Sequence, residues 1–271
     1  MTVDHLSFSA LSAYQKCPRS FQLSRVIRAE ETPAWYFAVG TAVHQFVEEY
    51  LQSGRDSLVP TYGRLEELFL TEVERLMEIE PDTHRWAHAG SDENPVVEEK
   101  ALRLAQECAE RAIALLDEID VWEVELDVSG TLPGCPLPVM GFADIIGEHK
   151  KHGPIIGDWK TGKSRPKSAL QLETYNALIN ITKPKYFDTP FKGLWLMVNP
   201  EAAKNTRPVV FKETTVTMGN MYGDVARHIA RGTFPARIKR WECDHCHQKP
   251  NCLAASGPTA RTLHYEKLRS E

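Results

Sequence analysis

Two short apolar segments, each carrying an aspartate, face one another across a polar turn in the middle of this chain. The first holds Gly141-Phe142-Ala143-Asp144, and the second ends Asp158-Trp159-Lys160-Thr161-Gly162. Side chains alternate along a strand, so Asp158 and Lys160 point one way and Trp159 the other. Burying two carboxylates without partners costs several kcal/mol, on the order of a lost charge pair, so they need a cation or solvent. Lys160 could satisfy one of them as an internal ion pair. Alternatively, a carboxylate from each of two adjacent strands beside a lysine can hold Mg²⁺ or Mn²⁺ and the water it activates. The Trp159 carbonyl would be a further oxygen ligand.

The rest of the chain is read outward from this pair. Residues Leu6 to Ile27 have a helical pattern with Ser7 or Ser9 as N-cap, and Pro18 predicts a kink or break because it lacks a backbone donor. Val39 to Leu51 is a second helix, with an apolar stripe from Val39 to Leu51 and His44 at its edge. On its own pattern, a lone histidine there reads as a packed core residue. Gly54 to Pro60 reads as a linker, Tyr62 to Ile79 and Pro95 to Ile119 as helices, and Glu80 to Asn94 as an irregular loop.

After Asp120 the period changes from helical to alternating. In Val121 to Val128 the residues Trp122, Val124, Leu126 and Val128 would face the core, with Glu123, Glu125 and Asp127 opposite. Val139 to Glu148 and Pro154 to Lys160 complete a three-strand meander. A helix from Lys167 to Ile181, strands at Gly193 to Val198 and Val209 to Val216, and a helix from Met218 to Arg231 follow. This order predicts an α/β fold with a mixed central sheet flanked by helices, in one domain spanning residues 1–271.

Two features follow the second aspartate. Gln171 and Tyr175 are four residues apart and share a helix face, where they could steady the lysine, a water or a phosphate. Lys163, Arg165 and Lys167 form a basic run suited to contacting DNA phosphates. Residues 157–164 also satisfy the phosphate-loop pattern G-x-x-x-x-G-K-[ST]. However, Arg165-Pro166 delays the helix that should start there, and Gly193 to Asn199 ends in asparagine rather than the second magnesium-binding aspartate. A phosphate-loop ATPase is therefore the third choice.

Six cysteines occur, and the N-terminus has no basic region followed by an apolar stretch, which points to the cytoplasm and reduced thiols. Cys243, Cys246 and Cys252 have metal-site spacing, and Cys17 is the best candidate for a fourth ligand. Four thiolates suit an iron–sulfur cluster. Zn²⁺, with His245 or His247 completing three cysteines, is the alternative. Cys108 and Cys135 read as ordinary residues. The net charge of −5 is unevenly spread: residues 64–120 carry 16 acidic and 6 basic side chains, a balance of −10, leaving +5 elsewhere. The acidic part reads as a solvated helical lobe.

Taken together, these motifs resemble RecB-like nucleases of the PD-(D/E)xK superfamily, and most closely their iron–sulfur branch, which includes the CRISPR-associated exonuclease family and the nuclease domain of AddB-type helicase–nucleases. Ser7 through Tyr14, Cys17-Pro18 and Phe21 look like the N-terminal cluster motif. Gly40-Thr41-Ala42-Val43-His44 looks like the first-helix histidine motif, and the two aspartate segments look like the central nuclease motifs. Gln171 with Tyr175 looks like the Q-x-x-x-Y motif, and Trp241 through Cys252 like the second half of the cluster. The resemblance covers most of the chain, apart from an acidic helical insertion at about residues 55–118.

The resemblance implies that His44 is a metal ligand together with Asp144, Asp158 and the Trp159 carbonyl. It makes Lys160, Gln171 and Tyr175 part of the catalytic set. It favours a [4Fe–4S] cluster on Cys17, Cys243, Cys246 and Cys252. The family usually adds an acidic residue from the preceding strand, for which Glu123 and Glu125 both qualify. The expected function is metal-dependent exonuclease action on DNA, at single-stranded ends, in recombination, repair or phage DNA metabolism. No helicase motor is present, so a helicase or recombination partner would supply unwinding. The second reading is a DNA-binding scaffold or adaptation-complex partner with a weak or accessory nuclease site.

Overall fold

The computed structural model describes residues 3–54, 62–87, 94–202 and 207–254, with only the backbone at 94, 95 and 240. Most of the linker expected at 54–60, and residues 88–93 of the expected loop at 80–94, lie outside them.

A mixed sheet is the centre of the fold. Its strands are β2 (Ile119–Asp127), β4 (Phe142–His149), β5 (Gly153–Lys160) and β6 (Lys192–Met197), in the order β2-β4-β5-β6. The first three form the expected antiparallel meander, and β6 runs parallel to β5. A parallel neighbour requires a crossover, which α6 (Leu170–Thr182) supplies. A short parallel pair, β1 (Leu6–Ser7) and β3 (Val139–Met140), lies outside this sheet.

Helices cover both faces. On one, α3 (Trp35–Gln52), α4 (Tyr62–Met77) and α5 (Asn94–Leu116) pack with Ile145, Ile155, Trp159, Leu194 and Leu196. On the other, α1 (Phe8–Lys16), α6 and α7 (Thr215–Ala230) pack with Ile146, Ile156, Trp195 and Met197. The sheet strands thus bury both faces, as expected for a helix-covered sheet. Ser7 caps α1 by accepting from the Ala10 amide at 3.2 Å. Pro18 ends the first helix as expected: α2 (Pro18–Phe21) restarts with proline in its first turn, and a π-helical turn follows over Gln22–Val26.

Two expectations fail here. Val209 to Val216 is not a strand: only Val209 bridges to Gly193, and Thr214 opens α7 with a capping box to Thr217. A threonine that can satisfy a helix's first amides outweighed the β-branched run. Trp122 is not buried as expected: it is 37% exposed, its ring stacking on Tyr186 and meeting Phe191 at the edge of the core under α6 and α7. The register of β2 against β4 shifts between Val121 and Glu123, so the extra residue puts Trp122 and Glu123 together on the Tyr186 side.

Candidate active site

The site forms where the two cores meet. Ile145 belongs to the core under α3–α5, but Ala143, two residues earlier on the same strand, belongs to the core under α6 and α7. The strand therefore changes faces at Asp144. In the β2/β4 register, Glu125 sits between Val124, paired with Ile145, and Leu126, paired with Ala143. Its φ of 47° lies in the left-handed region, uncommon outside glycine. This local distortion turns an acidic side chain from the neighbouring strand toward Asp144.

Asp144 is buried, and its Oδ2 accepts from the Trp159 amide at 2.8 Å. The same oxygen lies 3.5 Å from His44 Nδ1, on α3. A β-carbon added at Gly40, one turn before His44, would already meet Thr161 Oγ1 at 3.6 Å. Among the described residues, one group of three His, Cys, Asp or Glu donors has ligand atoms within 4.8 Å of one another: His44, Glu125 and Asp144. A nitrogen and carboxylate oxygens at this spacing suit a divalent cation.

Asp158 follows on β5, only 1% exposed. Its Oδ1 accepts from Gln171 Nε2 at 2.6 Å, while its buried Oδ2 faces the Lys160 ammonium without a well-directed hydrogen bond. Lys160 also donates to Gln171 Oε1 at 3.1 Å and lies 5.1 Å over the Trp195 ring. Gln171 Nε2 in turn donates to Tyr175 OH at 2.9 Å. The shared helix face expected of Gln171 and Tyr175 thus carries a continuous polar network to Asp158 and Lys160.

The electrostatics show a buried carboxylate cluster that Lys160 alone does not offset. Burial, then repulsion from Glu125, raises Asp144 to about 7. Burial, then repulsion from Asp144, raises Asp158 to about 7 against the pull of Lys160. Burial and then Glu48 raise Glu125. Burial lowers His44, favouring the neutral imidazole a metal requires, although a third of its side chain still reaches the cleft. Carboxylates pressed toward neutrality by one another are the arrangement that a dication would relieve.

The structure separates the two acidic candidates of β2. Glu125 enters the site, whereas Glu123 binds Lys185 and, at 3.1 Å, the Tyr186 hydroxyl. Glu48 was missed in the sequence. It lies one turn beyond His44 and lines the same cleft, a helical spacing that could have revealed it. The basic run is less central than expected. Lys163 pairs with Glu201 at 2.7 Å, Arg165 donates to the Arg207 carbonyl at 2.9 Å, and Lys167 is exposed; none of them lines the cleft. The phosphate-loop reading loses its helix, since α6 begins only at Leu170.

The cysteines converge at a second place. Cys17, Cys243, Cys246 and Cys252 all line one cavity of about 260 Å³. Cys17 caps the end of α1, and its Sγ accepts from the Arg237 amide at 3.5 Å. The Ser20 hydroxyl lies 3.6 Å from Cys246 Sγ. Both ring nitrogens of His247 are engaged, one with Tyr36 OH at 2.5 Å and one with the Thr32 carbonyl at 2.9 Å. Cys108 and Cys135 are buried away from this cavity, as expected.

No curated protein matches the sequence. A solved structure described as "Crystal structure of SSO0001" aligns over 95% of this chain and 89% of its own, with 13% identity and a TM-score of 0.41. The sequence pattern described as the PD-(D/E)XK nuclease superfamily matches residues 5–253, a span that takes in His44, both aspartates, Lys160 and all four clustered cysteines. Nucleases of that group use divalent metals and act on DNA, in keeping with the donor group at His44, Glu125 and Asp144. The chain belongs to the PD-(D/E)XK nuclease superfamily.

Proposed function

We propose that this chain is a Mg²⁺- or Mn²⁺-dependent DNA exonuclease of the RecB-like, iron–sulfur type, hydrolysing phosphodiester bonds at single-stranded ends in recombination, repair or phage DNA metabolism. The observation that carries the metal assignment is the convergence of His44, Glu125 and Asp144 within 4.8 Å beside the buried Asp158. His44, Asp144, Asp158 and the Trp159 carbonyl are the ligands, and Glu125 joins them.

A divalent ion held there supplies Lewis acidity toward a phosphate oxygen. The chain's own residues do the positioning. Lys160 orients the attacking water and stabilises charge that develops on the phosphate oxygens. Gln171 holds Lys160 and Asp158 in register, and Tyr175 holds Gln171. Lys163, Arg165 and Lys167 bind DNA phosphates outside the cleft.

The four cysteines Cys17, Cys243, Cys246 and Cys252 around one cavity support a [4Fe–4S] cluster, with Zn²⁺ as the alternative. Engagement of both His247 nitrogens removes one zinc ligand. The cluster's role is structural: it ties α1 to the segment after α7.

The test is cleavage of end-labelled single- and double-stranded DNA in Mg²⁺, Mn²⁺ or EDTA. Asp158→Ala and Lys160→Ala should each abolish cleavage while leaving the cluster's visible absorption intact. Full activity in either variant removes the assignment, and metal-independent binding without any cleavage by the unaltered protein favours the scaffold reading.

A further inference from the structure

The cleft above His44, Glu125 and Asp144 has an apolar wall that metal binding does not use. Met140 and Phe142 line it and remain 38% and 45% exposed. The cleft's volume is about 600 Å³, within the range of sites that enclose a small ligand. Phe142 stands two residues before Asp144, so whatever covers its ring is close to the reacting phosphate.

The wall is rigid. Phe142 pairs with Asp127 in β2. A β-carbon at Gly141 would meet Tyr175, Leu178 and Val128 at 3.3 Å each, so the backbone between the two apolar residues is pressed onto α6. An apolar ring presented at an open surface by a packed backbone is placed for contact.

Charge narrows the choice of occupant. Among the described residues lining the cleft there is no lysine or arginine; the ionisable groups are two histidines, three carboxylates and Tyr175. The cleft wall thus carries no basic side chain to neutralise phosphate, the main source of DNA affinity; the site's ammonium is Lys160, paired with Asp158. Contact between the cleft wall and a strand then comes from stacking and neutral donors. A base inside a duplex keeps its faces covered by its neighbours, and uncovering one costs several kcal/mol in order of magnitude. An unpaired base presents its face freely.

We infer that Phe142, supported by Met140, is a stacking platform for an unpaired DNA base entering the cleft, and that this contact selects single-stranded ends over duplex. The inference rests on the nuclease reading above. Phe142 is a positioning residue: it fixes the base, and through it the adjoining phosphate, over the carboxylates.

The experiment uses oligonucleotides carrying 2-aminopurine at successive positions from one end, bound in EDTA, with steady-state cleavage in Mn²⁺ measured in parallel. The unaltered protein should quench the probe at one position. Phe142→Ala should lose that quenching, bind single strands about 5- to 100-fold more weakly and show the loss in KM rather than kcat. Phe142→Trp should restore both, and thermal melting should be unchanged throughout. Quenching and KM that are the same in Phe142→Ala, or a loss equal for single-stranded and blunt duplex DNA, overturns the inference while cleavage by the unaltered protein leaves the nuclease reading standing. Phe142-dependent quenching without cleavage in any metal does the reverse.

Discussion

Gln171 and Asp158 are joined by a 2.6 Å hydrogen bond, although they come from a helix and a strand on opposite sides of an irregular loop. The same amide accepts from Lys160 through its oxygen, so one side chain sets the separation of a carboxylate and an ammonium. Replacing it should misplace both. Gln171→Ala is expected to lower kcat by roughly 10- to 100-fold, the usual cost of removing a residue that orients metal-site groups. Single-turnover cleavage, with melting temperature as a control, checks this.

The left-handed backbone at Glu125 separates two glutamates of β2 that are only two residues apart. Glu125→Gln should weaken Mn²⁺ binding by roughly 10- to 100-fold, whereas Glu123→Gln should leave it unchanged, because Glu123 is held by Lys185 and Tyr186. Isothermal titration with Mn²⁺ distinguishes them. Equal effects would mean that Glu125 does not face the ion.

Metal affinity should rise with pH through about 7. In the metal-free protein Asp144 and Asp158 are raised to about 7 from 3.8, so the folded state holds protons that the unfolded state has released. The stabilisation contributed by this protonation is complete below about 3.8 and is lost as pH rises through 7. A dication must displace those protons, so its affinity climbs as they leave and levels off above the titration. The increase in melting temperature on adding Mn²⁺ should therefore be larger at pH 8 than at pH 5.5, and proton release on binding should be larger at the lower pH. Asp158→Asn should flatten both trends.

The cysteine cavity joins residues more than 200 positions apart, so losing one ligand should cost stability as well as metal. Cys17→Ser is expected to lower iron and acid-labile sulfide and to reduce the melting temperature. Cys108→Ser, in the core beneath α5, should leave iron content unaltered. Zinc without iron in anaerobically purified protein would replace the cluster with the alternative.

Local patterns were readable because their physical basis is local. Alternation in β4 and β5, the lack of an amide donor at Pro18, and the four-residue spacing of Gln171 and Tyr175 each act within a few residues. The failures lie where one residue alters that local count. The register shift after Val121 put Glu123 on the same side as Trp122, and the Thr214 cap ended a strand pattern before it could form. Lys163 and Arg165 look available along the chain, yet neighbouring groups engage them in space.

The sequence by itself determined the element order, the aspartate–lysine strand and the cysteine spacing, since these depend on backbone period and residue chemistry. Only the tertiary structure decided which acid joins Asp144, how His44 arrives from a helix about a hundred residues away, and that four cysteines share one cavity. Those outcomes depend on one left-handed residue in β2 and on helix packing against both sheet faces, and side-chain direction across such distances is fixed by the packed core rather than by spacing along the chain.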